Sequence, residues 1–96
     1  MATIDIRRSH SLDLALAKAR AEKMARDMES ELGIVWKWEG DRIRFNAPRG
    51  AAKGATGAVS VDNREVRVEI DLPLLLRPLK GMVSGKVESR LNELVR

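Results

Sequence analysis

Short segments in which apolar and polar residues alternate are the strongest constraint on the fold of this chain. Apolar residues stand at every second position on both sides of Gly40-Asp41, namely Ile34, Trp36, Trp38, Ile43 and Phe45. A two-residue turn at Gly40-Asp41 aligns the two segments so that all five residues fall on one face. Since a slip of one residue would turn one strand over, pattern and turn together predict an antiparallel hairpin.

A second hairpin is predicted around Asn63-Arg64, where Asn63 is expected to take the positive φ that such a turn needs. Its alternating apolar residues are Val59, Val61, Val66, Val68, Ile70 and Leu72. Val61 should lie opposite Val66, and Pro73 should end the last strand. Residues 3–7 alternate in the same way and predict one more strand, half-buried, before the hairpins.

Two helices are predicted from apolar residues at steps of three and four. The first should run from about Leu12 to Leu32, capped by Ser9 or Ser11, with Asp13 in its first turn and Gly33 at its end. Its apolar face contains Leu14, Ala17, Ala21, Met24, Ala25, Met28 and Leu32. The second follows Pro73, tolerates Pro78 only in its first turn, and presents Leu76, Leu79, Val83, Val87, Leu91 and Leu94.

The predicted order is therefore β-α-β-β-β-β-α, an α+β fold in which both helices cover the apolar face of a curved antiparallel sheet. This topology is similar to a reduced helix-grip (START-like) fold, which carries no function by itself. The 96 residues match the length of one domain, spanning residues 1–96, because a chain this short cannot build a second core.

Composition excludes several classes of protein. There is no cysteine, which rules out disulfides and thiolate nucleophiles and fits a reducing compartment. No apolar run approaches the ~20 residues of a membrane span, and the N-terminus lacks the pattern of a signal peptide. The net charge of +4 comes from 18 basic and 14 acidic residues, a modest excess that a solvated surface explains as well as an anionic partner does.

His10 and a glycine-rich tract are the candidates for chemistry. His10, the one histidine, is either a ligand or acid–base group near the mouth of the sheet, or a capping-region side chain that packs locally. No triad or zinc spacing surrounds it, so local packing is favoured and no cofactor is expected. The Gly50, Gly54 and Gly57 tract lacks the Gly-Lys-Ser/Thr ending of a phosphate loop and leads into a strand, which favours a bent strand.

The outer face of the predicted sheet carries a possible anion-binding cluster of Lys37, Arg42, Arg44 and Arg67. Lys37 should lie opposite Arg44, an unfavourable pairing of like charges unless an anion or a nearby acid compensates. A nucleic-acid platform usually adds exposed aromatic side chains, whereas Trp36, Trp38 and Phe45 are predicted to point inward. They would pack the concavity with Met24 and Met28, which favours a filled core over a ligand pocket.

A surface for self-association is predicted on each helix. Leu12, Leu16 and Ala19 lie away from the apolar face of the first helix and form a short apolar stripe. Gly81 and Gly85 lie roughly opposite the apolar face of the second helix, where close approach of another backbone would explain them; simple tolerance explains them equally well. Pairing through the edge strand at residues 34–39 is a further route to a homodimer.

Motifs along nearly the whole chain resemble one family. They are Ser9-His10-Ser11-Leu12, the Ala-x-Ala-Arg-Ala-Glu stretch at 17–22, Trp38-x-Gly40-Asp41-x-Ile43-x-Phe45, Gly57-x-Val59-x-Val61 and Val66-x-Val68-x-Ile70-x-Leu72. This pattern is similar to that of the small bacterial polyhydroxyalkanoic acid system family proteins. Pro73 departs from it, since a small residue such as Gly is expected there.

The resemblance implies a cytoplasmic bacterial protein linked to polyester storage granules, without enzymatic activity. The expected function is that of a non-enzymatic accessory protein of polyhydroxyalkanoate metabolism. Its partners would be the granule surface, granule proteins or a second copy of itself. Two alternatives stay open: a small-molecule-binding helix-grip module that uses His10, and a nucleic-acid or anion binder that uses the outer face.

Overall fold

A computed structural model describes residues 2–50 and 52–96 of the chain. Within them the elements follow the order predicted from the sequence, with a 3-10 helix added before the last helix. They are β1 (Ile4–Ser9), α1 (Leu14–Leu32), β2 (Val35–Glu39), β3 (Arg42–Asn46), β4 (Thr56–Val61), β5 (Glu65–Asp71), the 3-10 helix (Leu74–Leu79) and α2 (Lys80–Leu94).

The strands form one open antiparallel sheet in the order β1-β5-β4-β3-β2, with β4 at its centre. The first hairpin has the predicted register, with Trp36 opposite Phe45, and Gly40 takes a φ of +65° in its turn. Val61 lies opposite Val66 in the second hairpin, also as predicted. The alternation of apolar residues and the turn lengths were therefore sufficient to predict both hairpins.

The turn between β4 and β5 does not form in the predicted way. No residue other than glycine has a positive φ in the part of the chain that the structure describes, so the prediction for Asn63 is wrong. The Asp62 carboxylate instead accepts hydrogen bonds from the backbone N–H groups of Arg64 at 2.8 Å and Glu65 at 2.7 Å. A side-chain acceptor replaces the left-handed residue, as Asp commonly does in turns.

The start of α1 also differs from the prediction. The helix begins at Leu14 rather than Leu12, and Asp13 is the N-cap, with its carboxylate accepting from the Ala15 N–H at 3.2 Å. Ser9 belongs to β1, so it is not available as the cap. The end of the helix is as predicted, because Gly33 takes a left-handed φ of 70° and donates its N–H to the Glu29 carbonyl.

A single cluster of buried apolar side chains joins the inner face of the sheet to both helices. Met24 and Met28 of α1 and Phe45 of β3 are buried within it, whereas Trp36 and Trp38 are half-buried at its border. Their indole nitrogens donate to carboxylates of α1, Trp36 to Glu29 at 2.8 Å and Trp38 to Glu22 at 3.0 Å. The prediction of an α+β fold is confirmed, and the helix-grip comparison stays a prediction.

The C-terminal helix is divided in two. Pro78 lies inside the 3-10 helix, and α2 begins two residues later at Lys80. In an α-helix the Pro78 ring would clash with the backbone carbonyl of residue 74, which disfavours α-helical geometry in the first segment. From Val83 onward the predicted apolar face is buried, through Val87, Leu91 and Leu94. Leu76 and Leu79 are half-buried against the core.

Gly57 of β4 should not accept a side chain. It lies opposite Phe45, and a Cβ at this position would clash first with the backbone carbonyl oxygen of Glu69 and would stand 2.5 Å from the Phe45 Cζ atom. We therefore expect Gly57→Ala to lower the free energy of unfolding by about 1–3 kcal/mol through overpacking, measured by urea denaturation.

Gly81→Ala is the matched control for Gly57→Ala. Gly81 lies in α2 with no atom within 4 Å of the added Cβ, so this variant should raise stability by roughly 0.5–1 kcal/mol. Equal stability of Gly57→Ala and the wild type would contradict the close packing of Phe45 on β4.

Candidate functional site

The His10 ring connects two parts of the backbone. Its Nδ1 atom accepts from the Leu12 N–H at 3.1 Å, which leaves Nε2 to donate to the Asp62 carbonyl oxygen at 2.8 Å. The ring thereby fastens the connection between β1 and α1 to the turn between β4 and β5. This geometry agrees with the local packing role considered for His10, and a ligand role would require at least one of these bonds to break.

Asp62 belongs to the same local cluster through its side chain as well as its carbonyl. The N–H of Arg64, and after it the N–H of Glu65, hold the pKa of the Asp62 carboxyl below its ordinary value of 3.8. The carboxylate is therefore charged at neutral pH and serves the turn. His10 and Asp62 together link two surface segments of the chain. The hydrogen bonds of both side chains are made with backbone groups.

The four predicted cations of the outer sheet face do not form one group. Lys37 lies opposite Arg44 as predicted, and Glu39 approaches both, at 3.7 Å from the Lys37 Nζ and 3.8 Å from the Arg44 Nε. Arg42 is next to them, opposite Glu39. These three cations occupy the side of the sheet made by β2 and β3, and Glu39 partly compensates them.

Arg67 is on the other side of the central strand and is engaged by acids. Its guanidinium forms a two-pronged contact with Asp5, at 3.0 and 2.7 Å, and lies 3.5 Å from Glu69. The hydrogen bond from Arg67 is the main reason why the pKa of the Asp5 carboxyl is lowered below 3.8. The expectation that Arg67 extends the cationic cluster is therefore corrected, because Asp5 on the neighbouring strand neutralises it.

An open trough of about 720 Å³ runs over this outer face. Ala58 of the central strand lies between Arg44 and Glu69 in the register. Its short side chain forms the floor of the trough between the longer side chains of these two residues. Cations line one side and the acids Glu69 and Asp71 line the other. A lining of both signs does not select anions, and the three aromatic residues lie on the opposite face of the sheet.

Residues 2–50 and 52–96 contain no group of three or more His, Cys, Asp or Glu side chains arranged to hold a metal ion. No helix within this part of the chain is both long enough and apolar enough to cross a membrane.

The predicted apolar stripe on α1 is not continuous. Leu12 precedes the helix and is half-buried against the core, so its assignment to an exposed stripe is corrected. Leu16 is 43% exposed, and Ala19 is also exposed. Gly81 and Gly85 of α2 are exposed, and no atom lies within 4 Å of where a Cβ would be. Packing within the chain therefore does not require either glycine.

The largest exposed apolar side chains lie instead in residues 74–82, here called the leucine segment. Leu74 is 77% exposed, Leu75 is 91% exposed and Met82 is 50% exposed. The sequence pattern predicted Leu76 and Leu79 to lie on the core face of the second helix, and it gave no prediction for Leu74, Leu75 or Met82. A signal was present, since three adjacent leucines cannot all point to one side of a helix.

A sequence model of the polyhydroxyalkanoic acid system protein family matches residues 4–95 of the chain. No curated protein and no solved structure matches it. The match covers every strand and helix described above, and it identifies no catalytic or binding residue.

Two carboxyl groups should make stability depend on pH. Because the folded-state pKa values of Asp5 and Asp62 are lowered, their stabilisation is complete above the unfolded value of 3.8 and is lost as pH falls through the folded values. We expect the urea midpoint to fall between about pH 5 and pH 3. The fall should be shallower in the double variant Asp5→Asn, Asp62→Asn; an unchanged slope would contradict the assignment.

His10 should contribute to stability through its two backbone contacts. We expect His10→Ala to lower the free energy of unfolding by about 0.5–1.5 kcal/mol, because the Leu12 N–H and the Asp62 carbonyl each exchange the ring for water. His10→Asn, whose side-chain oxygen can replace the Nδ1 acceptor, should recover part of that loss. Thermal and urea unfolding of both variants measure the difference, and a fully stable His10→Ala would instead favour a ligand role.

Proposed function

The chain belongs to the polyhydroxyalkanoic acid system protein family, and from this we propose that it is a non-enzymatic accessory protein of polyhydroxyalkanoate granules. In this proposal it acts at the granule surface in the cytoplasm. The observation that carries the proposal is the exposure of Leu74 and Leu75, at 77% and 91%. A protein that attaches to a polyester body needs an apolar contact surface of this kind.

The exposed leucines supply a driving force of useful size. Full burial of a Leu side chain is worth about 1.5–3 kcal/mol, so the pair offers roughly 3–6 kcal/mol to a surface that covers both. Leu76 and Leu79 of the same segment are half-buried against the core. They hold the segment to the domain while its other side faces outward, so adsorption does not require the protein to unfold.

The absence of an enzymatic role is part of the proposal and has support from the polar groups. Both ring nitrogens of His10 are engaged by backbone groups, and Asp5 is paired with Arg67. A general acid or base needs a free position facing a substrate. The side chains of His10 and Asp5 are instead engaged in contacts that stabilise the fold.

We also predict that the protein associates with a second copy of itself. The exposed positions of Gly81 and Gly85 leave open space beside α2, where a second backbone could approach closely. The edge strand β2 offers another route, since Val35 is 52% exposed and β2 stands at the end of the strand order, next to β3.

Binding of an anionic ligand or nucleic acid is the second candidate, favoured by the trough over the outer face. Lys37, Arg42 and Arg44 line one of its sides. Against it stand the acids on the other side and the pairing of Arg67 with Asp5. Such binding would weaken steeply with added salt, because each phosphate contact releases counterions.

Co-sedimentation with isolated polyester granules tests the proposed function. We expect the wild type to bind granules more strongly than inert beads of equal area. The double variant Leu74→Asp, Leu75→Asp should lose at least about tenfold in affinity, since charged residues oppose burial at the surface.

Leu16→Asp is the matched control, because it places the same charge on an exposed leucine of α1. It should bind like the wild type. Equal binding by the wild type and the Leu74→Asp, Leu75→Asp variant would exclude the leucine segment as the attachment surface, and no selective binding at all would overturn the proposed function.

A further inference from the structure

We propose that the leucine segment binds an anionic lipid surface, with Leu74 and Leu75 entering the apolar layer and the neighbouring cations contacting the headgroups. This inference rests on the proposed function only in that the same segment serves both. It names the chemistry of the partner: a layer of negatively charged phospholipid rather than uncharged polyester.

The charged residues that follow the exposed leucines in the sequence are of one sign. Arg77, Lys80 and Lys86 follow them, and no acidic residue occurs between Asp71 and Glu88. A second acid-free stretch, residues 42–61, also carries cations, but none of the large exposed apolar side chains of the described residues lies in it. A basic stretch beside exposed apolar side chains is the combination that holds peripheral proteins to anionic membranes.

The segment presents its leucines in a largely fixed geometry. Pro78 fixes φ within the segment and Pro73 fixes it at the preceding position. The Pro73 ring packs over Gly54, where an added Cβ would meet the Pro73 Cγ at 3.0 Å. The 3-10 helix contains no buried residue, yet Leu76 and Leu79 are half-buried against the core. Little conformational entropy is therefore lost on binding, which favours a shallow anchor.

The same charges disfavour the other occupants of this surface. In a two-fold dimer through the leucine segment, the same patch on each copy meets itself. Arg77 and Lys80 of one copy would then lie near those of the other, and like charges would repel. An uncharged polyester would accept the leucines but would gain nothing from the cations.

Vesicle flotation tests the inference directly. We expect the wild type to bind vesicles of phosphatidylcholine mixed with phosphatidylglycerol, and to bind vesicles of phosphatidylcholine alone far more weakly. Since each cation near an anionic surface contributes about fivefold in affinity, Arg77→Gln with Lys80→Gln should reduce binding by about 25-fold. Lys23→Gln with Arg26→Gln, which removes two exposed cations of α1, is the control of equal charge and should bind like the wild type.

Insertion of the leucines can be measured separately from adsorption. The chain has no cysteine, so Leu75→Cys creates one labelling site for an environment-sensitive fluorophore. We expect its emission to shift to shorter wavelength when phosphatidylglycerol-containing vesicles are added. The same label at Leu16→Cys, on α1, should show no shift.

The outcomes separate this inference from the proposed function. Binding to granules stripped of lipid, without binding to anionic vesicles, would overturn the inference and leave the granule role standing. Binding to anionic vesicles without binding to granules would support the inference and overturn the granule role. Equal binding to both kinds of vesicle would overturn the role of the cations. A dimer that is lost in the Leu74→Asp, Leu75→Asp variant, together with no vesicle binding, would assign the segment to a second copy.

Discussion

The pairing of β3 with β4 is the contact on which the rest of the structure depends. β2–β3 and β4–β5 are each local hairpins, and the β3–β4 ladder joins them into one sheet. At this seam Phe45 lies opposite Gly57, whose lack of a side chain leaves room for the ring. The joined sheet then presents one apolar face broad enough to bury residues of both α1 and α2 in a common core.

Polar contacts at the border of that core set the ends of the elements. The indole N–H groups of Trp36 and Trp38 fasten β2 to α1, and His10 fastens the entry to α1 to the β4–β5 turn. With these groups occupied, the chain meets its surroundings chiefly through surfaces. Leu74 and Leu75 have the most exposed large apolar side chains of the described residues.

Features that depend on residues close together in the sequence were predicted better than features that depend on residues far apart. The register of Trp36 with Phe45 was predictable, because a two-residue turn and period-two alternation determine it. The start of α1 was not, because the Leu12 N–H is taken by the His10 ring and Asp13 is the cap. The pairing of Arg67 was not predictable from the sequence either. Its partner Asp5 lies on β1, which is far from β5 in the sequence and lies next to it in the folded sheet.

The sequence by itself determined the class of fold, the two hairpins and the apolar faces of the helices, because periodicity and turn residues act over a few positions. Only the tertiary structure decided the strand order, the neutralisation of Arg67 and the exposure of Leu74 and Leu75. Exposure depends on which distant segment covers a residue, and no local pattern contains that information. Three adjacent leucines indicate that one must face outward; the docking of Leu76 and Leu79 on the core decides which ones do.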